Sequence, residues 1–316
     1  MQTFEEVKKI NARSKRISVA GKYFFVYALL LYPLILFAIF YVGVNINSIV
    51  MSFQKFYING TKTFNSFNNF VNFFNEAFVN DGILKIGLIN SIKVWALSFV
   101  ISMPLYIIFS YLLFKKMPGH TLWKFLYMLP TIVSGMVYLL VFKQFAGTPM
   151  QRIMIGLGYE DCPNLLTDLD TSFGTCLFYT IWTSFSVSLI TYPNAMNAID
   201  NSVIESAELD GVSNMFQELW YIILPLIYPT ITTFVVMGIA GMFAASLPLI
   251  GLYGYNAPSK VYTFNYYYVV KIMTATNNLD YPELAAGGII ITAVVAPLTM
   301  LIKQLMEKFS PVKDAI

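Results

Sequence analysis

The sequence predicts an all-α integral membrane protein with about six transmembrane helices. The chain has 316 residues, of which 57% are hydrophobic and only 12% are charged. A typical soluble domain carries roughly 25% charged residues. A helix needs about 20 mainly apolar residues to cross a hydrocarbon core about 30 Å thick. Six runs meet that requirement, and they lie near residues 23–50, 88–114, 123–142, 174–199, 221–250 and 284–302.

Helices are favoured over barrel strands because the apolar runs are long and continuous. Barrel strands would alternate polar and apolar residues over segments of about ten residues. Lipid cannot satisfy backbone hydrogen bonds, so each spanning segment must satisfy its own, which an α-helix does. Residues 1–22 are polar and basic, and the apolar run after them is longer than the core of a signal peptide, which predicts a first membrane helix.

The distribution of Lys and Arg predicts the orientation of the helices. With an N-terminal tail 1–22 and a C-terminal tail 306–316 in the cytoplasm, 12 of the 20 basic residues fall on or near the inner side. They are Lys8, Lys9, Arg13, Lys15, Arg16, Lys22, Lys115, Lys116, Lys124, Lys303, Lys308 and Lys313. Cytoplasmic loops of membrane proteins carry an excess of Lys and Arg. Both termini are therefore expected inside the cell.

The central parts of the predicted spans lack the groups that drive transport or catalysis. Residues Leu219 to Ser259 form 41 consecutive positions without a charge. Proton-coupled carriers place ionisable residues within the membrane, and an ATPase needs a phosphate-binding loop of the GxxxxGK[ST] kind; neither is present. The sequence therefore predicts no catalytic residue and no ATP hydrolysis on this chain, so energy for uphill transport must come from a partner.

Metal and nucleic-acid binding are also disfavoured. The chain has one histidine, His120, and two cysteines, Cys162 and Cys176, which do not form a CxxC pair. Two ordinary small residues are favoured over a disulfide between them, and no metal site is predicted. The net charge of +3 is too small to indicate a nucleic-acid partner.

The predicted outer segment 51–85 is rich in Asn and Phe. Two interpretations of it carry equal weight. It could be a folded extracytoplasmic loop that contacts a partner, or an amphipathic segment that lies at the membrane interface.

One predicted cytoplasmic loop, residues 200–220, is acidic and has no basic residue. The pattern predicts two short helices around Gly211, because glycine favours the left-handed conformation that closes a helix. Asn214 and Gln217 have the spacing of a capping box at the start of the second helix. An apolar stripe follows it, formed by Met215, Phe216, Leu219 and Trp220. The pattern alone fits a docking element and an ordinary surface loop equally well.

Several motifs resemble those of a known transporter family. Glu205-Ser206-Ala207, then Asp210-Gly211 and Ile222–Pro225, resemble the EAA loop of permease subunits in binding-protein-dependent ABC importers. Weaker matches to the MalF-type permeases for carbohydrate uptake lie at Lys124–Pro130, Trp182, Phe243–Pro258 and Tyr281–Ala286. The resemblance covers roughly residues 22–305 and implies a transmembrane permease domain at 23–305 with the type I ABC importer fold.

In that family the EAA loop is a coupling helix that docks on the ATP-binding subunit. The resemblance implies that Glu205 makes a polar contact with that subunit, Ala207 packs closely and Gly211 forms the turn. The implied coupling residues are Glu205, Ser206, Ala207, Asp210, Gly211 and Phe216. It further implies a bacterial plasma membrane location, a second permease subunit, an ATP-binding subunit dimer that holds the ATP and Mg²⁺, and an extracytoplasmic solute-binding protein.

A pathway without fixed charges suits a neutral polar solute, and the resemblance indicates a sugar, with an oligosaccharide as first choice. Hydrogen-bonding and aromatic candidates for the pathway are Tyr192, Asn194, Asn197, Ser246, Tyr253, Tyr255 and Asn256. Contacts between helices and interfacial anchoring explain the same residues. Two alternatives stay open: an ABC permease for another solute, such as a peptide, amino acid, polyamine or phosphate, and a self-sufficient channel.

Overall fold

The computed structural model describes residue 23 and residues 25–159, 163–244, 247–275 and 279–311. The N-terminal tail 1–22, the pathway candidate Ser246 and one end of the possible Cys162–Cys176 bond lie outside the described residues. Cys176 itself is buried and has a free thiol.

Helices dominate the described chain, with one short β-hairpin. The strands are β1 (Gln54–Phe56) and β2 (Lys62–Phe64). The helices before the acidic loop are α1 (Phe25–Ser52), α2 (Asn68–Phe74, extended by the π-helical turn Asn75–Val79), α3 (Ile83–Phe114), α4 (His120–Ile132), α5 (Gly135–Ala146), α6 (Thr148–Gly156) and α7 (Ser172–Asn197). The later helices are α8 (Asn201–Leu209), α9 (Met215–Leu226), α10 (Tyr228–Ala240), α11 (Leu249–Tyr253), α12 (Phe264–Thr274) and α13 (Tyr281–Lys308).

Within the described residues, four helices are long and apolar enough to cross a membrane: α1, α3, α7 and α13. The pair α9 and α10 makes a fifth if it is one span, although the two helices meet at an angle of 69°. Pro225 and Pro229 lack the backbone N–H that a continuous helix needs, which accounts for the break at Ile227 between them. The predicted count of six spans is not confirmed.

The predicted third span, near 123–142, is divided into α4 and α5. Ser134 has φ −52° and ψ 125°, so the backbone leaves the helical region before α5 begins at Gly135. A hydropathy window averages across such a break and predicts one helix, which is why the boundary was missed.

The two long helices α3 and α7 lie at the centre of the bundle and pack against each other. One buried cluster joins them to α9 and α10 and includes Ile107, Met196, Ile223 and Ile231. A second cluster joins α3 to α2, α12 and α13 through Leu84, Phe73, Phe264 and Leu284. A third, near the start of α7, includes Cys176 and residues of α5 and α11. Helix α1 packs against α13 at the edge of the bundle.

The outer segment 51–85 is folded onto the bundle. Strands β1 and β2 pair antiparallel, and the Asn69 amide donates to the carbonyls of Ser52 and Gln54, each at 2.7 Å. Phe73 fills the space above Gly287 of α13, where an added Cβ would lie 2.3 Å from the Phe73 ring. The opposite face of α2 exposes Phe74 and Phe78. Contact of this segment with a partner or with lipid stays a prediction.

Candidate functional site

The acidic loop 200–220 folds as predicted, into the short helix α8 and the start of α9. Helix α8 begins at a side-chain cap that the sequence reasoning did not assign, because Asp200 Oδ1 accepts a hydrogen bond from the Ser202 N–H at 3.0 Å. That bond lowers the pKa of the Asp200 carboxyl from its ordinary value. A side-chain acceptor at this position satisfies one of the N–H groups that a helix start leaves without a partner.

Gly211 closes α8 in the predicted left-handed conformation, with φ +100°. The Gly211 N–H donates to the Glu208 carbonyl at 3.2 Å, and the Val212 N–H donates to the Ala207 carbonyl at 3.1 Å. These two bonds form a Schellman motif, which satisfies the last carbonyls of the helix. Nothing lies within 4 Å of a Cβ placed on Gly211, so glycine is required here by the backbone conformation and not by space.

The predicted cap of α9 is also confirmed. Asn214 Oδ1 accepts a hydrogen bond from the Gln217 N–H at 2.8 Å. Gln217 Oε1 in turn accepts from the Ser213 N–H at 3.2 Å, one residue upstream of its partner in the usual capping box. Both hydrogen bonds fix the direction in which α9 leaves the turn.

The loop presents apolar and acidic side chains on its outer surface. Leu209 is 90% exposed and Phe216 71% exposed, and the Phe216 ring stacks on Trp220 with centroids 6.1 Å apart. Glu205, Ser206 and Asp210 are exposed, whereas Ala207 is buried. A surface of this kind can dock on another protein, and contact of these residues with an ATPase subunit stays a prediction.

The end of α3 supplies a base that the acidic loop lacks. Lys115 Nζ lies 2.6 Å from Glu218 Oε2, in an ion pair that the sequence analysis did not predict. Beside it, Phe114, Lys115 and Lys116 line one wall of a polar cleft of about 610 Å³, and residues of α8 line the other. The sequence did contain a signal for this ion pair. The acidic loop has five acids and no base, and the other predicted inner loop has two adjacent lysines, Lys115 and Lys116.

A separate cavity of about 300 Å³ lies among α3, α7 and α10 at the depth of the spans. Its walls are aromatic: Tyr192 stacks on Phe234 with ring centroids 4.9 Å apart, and Trp95, Phe99 and Tyr106 line the α3 side. The residues lining this cavity in the described chain include no Asp, Glu, Lys, Arg or His.

Three polar atoms on the α3 wall have no hydrogen-bond partner among the residues that the structure describes: Trp95 Nε1, Ser98 Oγ and Ser102 Oγ. Buried polar groups are nearly always paired, so each unpaired group needs an explanation, and an absent ligand is one. Across the cavity the Tyr106 hydroxyl and Ser184 Oγ are hydrogen-bonded to each other. The cavity therefore offers neutral hydrogen-bonding groups between aromatic faces.

Of the described residues that line this cavity, Tyr192 alone was predicted from the sequence. The missed signal is the spacing of Trp95, Ser98, Ser102 and Tyr106, which recur every three to four residues and so share one face of an otherwise apolar helix.

The other predicted pathway residues lie apart from this cavity. Asn194 is exposed near the end of α7, and Asn197 lines the polar cleft beside α8. Tyr253 donates its hydroxyl to the Leu166 carbonyl at 2.6 Å near the start of α7, which fits a contact within the bundle. Tyr255 and Asn256 are exposed after α11. The described members of the set do not form one site, and their contact with substrate stays a prediction.

A profile of the family described as "Binding-protein-dependent transport system inner membrane component" matches residues 94–313, which include the acidic loop and the residues that line the cavity. The chain belongs to this family. It is therefore a multi-pass membrane permease subunit of an ABC importer and not an enzyme, as the resemblance implied.

The relatives of this chain include sugar and glycerol-phosphate permeases. The chain is 22% identical over 279 residues to the arabinooligosaccharides transport system permease protein AraP of Bacillus subtilis, which covers 86% of this chain and 85% of AraP. It is 23% identical over 208 residues to the multiple sugar-binding transport system permease protein MsmF of Streptococcus mutans, a match that covers 64% of this chain and 69% of MsmF. It is 25% identical over 183 residues to the sn-glycerol-3-phosphate transport system permease protein UgpA of Brucella abortus, a match that covers 58% of this chain and 60% of UgpA.

The fold matches that of a solved ABC transporter. A chain in the crystal structure of the bacterial alginate ABC transporter, in complex with an alginate pentasaccharide-bound periplasmic protein, superposes with a TM-score of 0.75. The match covers 92% of this chain and 96% of that chain at 19% identity. At this identity the likeness establishes the type I ABC importer permease fold.

Proposed function

We propose that this chain forms half of the translocation pathway of an ATP-driven importer for a neutral sugar, with an oligosaccharide as the preferred substrate. The observation that carries this proposal is the cavity among α3, α7 and α10, with its aromatic walls and three unpaired polar atoms. Sugars present apolar ring faces that stack on aromatic side chains and hydroxyl groups that pair with neutral donors and acceptors.

The names of the similar permeases support a saccharide, since those of MsmF and AraP specify sugars and arabinooligosaccharides. The name of UgpA specifies sn-glycerol-3-phosphate, which is an anion. A buried phosphate needs cationic partners, and the described lining of the cavity has none. The composition of the cavity therefore favours the neutral substrate.

The proposed partners follow from the same function. The loop of α8 and α9 docks on an ATP-binding subunit dimer that carries the ATP and Mg²⁺, a second permease subunit completes the pathway, and a solute-binding protein delivers the sugar outside. Both termini lie in the cytoplasm of a bacterial cell. Exposure of Leu209 and Phe216 on the loop supports the docking step, because apolar side chains at a protein surface gain stability when a partner covers them.

The partner assignment is tested by purifying the tagged chain from its native membrane. We expect an ATP-binding subunit and a second permease to be recovered with it, and ATP hydrolysis in the complex to be stimulated by neutral oligosaccharides and not by glycerol phosphate. Recovery of the chain alone under cross-linking, together with solute flux that needs no ATP, would support a self-sufficient channel.

The cavity is tested with two serines of the same helix. Ser102 and Ser110 both lie on α3 with buried, unpaired hydroxyls in the described structure, but only Ser102 lines the cavity. We expect Ser102→Ala to raise the solute concentration that gives half-maximal uptake by about tenfold, because one lost hydrogen bond amounts to about 1 kcal/mol or slightly more. Ser110→Ala is the control and should leave half-saturation unchanged. Equal effects of the two substitutions would contradict the assignment of the cavity.

A further inference from the structure

The ion pair between Lys115 and Glu218 joins two elements that are distant in sequence. Lys115 directly follows the last residue of α3, and Glu218 lies in the first turn of α9. Their charged atoms, Nζ and Oε2, are 2.6 Å apart, and Glu218 is only 6% exposed. The positive charge also lies at the C-terminus of α3, where the helix dipole favours a cation.

Stability alone does not account for this pair. Glu218 Oε1 and the nearby Tyr111 hydroxyl are both buried without a well-formed hydrogen bond in the described structure, although the hydroxyl and the Glu218 carboxylate interact with each other. The Lys115 ammonium lies 6.0 Å from the centre of the Tyr111 ring. Glu218 is buried and Lys115 is only partly exposed. Such an ion pair often gives no more stability than apolar residues of the same size, but it holds its two partners in one relative position.

The Lys115–Glu218 ion pair lies between the acidic loop and the helix that lines the cavity. Below the pair, Ile223 of α9 and Ile227 at the break after α9 are buried in the same cluster as Ile107 and Tyr111 of α3. Helix α8, by contrast, faces the end of α3 across the polar cleft. A displacement of the loop therefore reaches α3 through α9 and not through α8. The unpaired hydroxyl of Ser102 lies about 20 Å further along the same helix, at 1.5 Å per residue.

We propose that Lys115 and Glu218 are positioning residues for energy coupling: their ion pair transmits movement of the docked loop to α3 and so to the cavity. This inference rests on the proposed docking of the loop on an ATPase subunit. Neither residue belongs to the exposed docking surface, so the pair acts after docking, on the path between the ATPase and the substrate.

The test uses the complete transporter reconstituted in proteoliposomes and measures solute transported per ATP hydrolysed. Glu218→Gln keeps the size of the side chain and removes its charge, and Lys115→Met does the same for the base. The control is Glu307→Gln, which removes the acid of the exposed Lys303–Glu307 pair on α13. We expect each of the first two variants to lower the ratio at least fivefold while the ATPase subunit still co-purifies, and the control to keep the wild-type ratio.

A reversed pair, Lys115→Glu with Glu218→Lys, separates coupling from folding. We expect it to recover a large part of the transport ratio lost in the single variants. Wild-type ratios in both single variants overturn the inference, as does a ratio that falls in all variants in proportion to their thermal stability. If the reversed pair does not assemble, the transport ratio of Glu218→Gln is compared with that of Glu307→Gln. A lower ratio in Glu218→Gln supports the inference, and equal ratios overturn it. A wild-type complex without ATP-driven sugar uptake is a different result and refutes the proposed function itself.

Discussion

The two helices of the acidic loop are held in different ways. Helix α8 has a cap at each end, from Asp200 and from the turn at Gly211, but only Ala207 of its nine residues is buried. Helix α9 has one cap, from Asn214, and then enters the bundle, where Glu218 and Ile223 are buried. Isolated helices of this length are marginal in water, so α8 depends on its caps and α9 on packing.

This difference fits the proposed docking of α8 and the proposed transmission of movement by α9. A docking helix must keep its outer side chains free for a partner, so its shape has to come from local hydrogen bonds. An element that transmits movement must instead be packed against what it moves, because buried contacts allow few relative positions.

Gly211→Val should have the largest effect. A left-handed conformation costs a residue with a side chain about 1–2 kcal/mol, and a β-branched residue tolerates it least. We expect coupled transport to fall by about tenfold or more, because that strain opens the turn between α8 and α9. Membrane insertion should be normal. Uptake assays and membrane fractionation measure the two outcomes.

The control for this variant is Gly158→Val. Gly158 has φ +98° and open space around it, like Gly211, but it follows α6 and lies outside the loop. Equal losses of transport in the two variants would show that strain at any such turn is sufficient and that the loop has no special role.

Phe216→Ser should weaken docking without lowering stability. The side chain is 71% exposed, so its removal leaves no cavity in this chain, whereas a partner would lose an apolar contact. Central aromatic contacts at interfaces contribute about 2 kcal/mol or more, so we expect the ATPase subunit to dissociate at least about tenfold more readily. Phe309→Ser is the control, since Phe309 is 72% exposed after α13 and not in the loop. Unchanged retention of the ATPase in Phe216→Ser contradicts docking through this surface.

Asn214→Ala should loosen the start of α9 by a smaller amount. Loss of a side-chain cap costs about 1 kcal/mol, and Asn214→Ser, which keeps an acceptor, should retain most of it. Hydrogen exchange should accelerate at residues 215–218 and not at the buried Ile223, because packing holds the rest of α9. Faster exchange throughout α9 would contradict the view that burial stabilises this helix.

The smallest effect concerns pH and Asp200. Hydrogen bonding to Ser202 holds the pKa of this carboxyl below its ordinary value of 3.8 in the folded loop. A lowered pKa in the folded state means that the contribution to stability is complete above 3.8 and is lost as the pH falls through the folded value.

We therefore expect Asp200→Asn, which keeps an acceptor without a titrating charge, to match the wild type at neutral pH. Below about pH 4 the wild-type α8 should lose exchange protection relative to this variant. The measurement is amide hydrogen exchange in residues 201–209, corrected for the intrinsic pH dependence of exchange. Parallel pH profiles for the two proteins would show that Asp200 does not cap α8 in solution.

The features predicted correctly from the sequence depend on residues that are close together in the chain. The hydrogen bonds that close α8 at Gly211 reach back three and five residues, and the Asn214 side chain accepts from the N–H of Gln217, three residues ahead. Such local geometry leaves a readable pattern of residue types. The long apolar runs of α1, α3, α7 and α13 were predicted for a related reason, since length and composition alone set the ability to span a membrane.

The features that were missed depend on where the helices meet. The break at Ser134 falls inside an apolar stretch whose composition does not change across it, whereas the 69° bend at Ile227 lies between two prolines, Pro225 and Pro229, which do mark it in the sequence. The predicted pathway residues were selected by type from two segments. The structure places the unpaired polar groups of the cavity on α3, where Trp95, Ser98 and Ser102 lie within a predicted apolar span.

Composition, spacing and turn chemistry determined a helical membrane protein with a turn at Gly211 and a helix cap at Asn214, because these features act within a few residues. Tertiary structure alone decided which polar groups face one another. Lys115 meets Glu218, and the aromatic cavity closes among α3, α7 and α10, only after distant helices have packed. The free energy of burying a polar group depends on whether it has a hydrogen-bond partner. Helix packing, and not the neighbours in the chain, determines that partner.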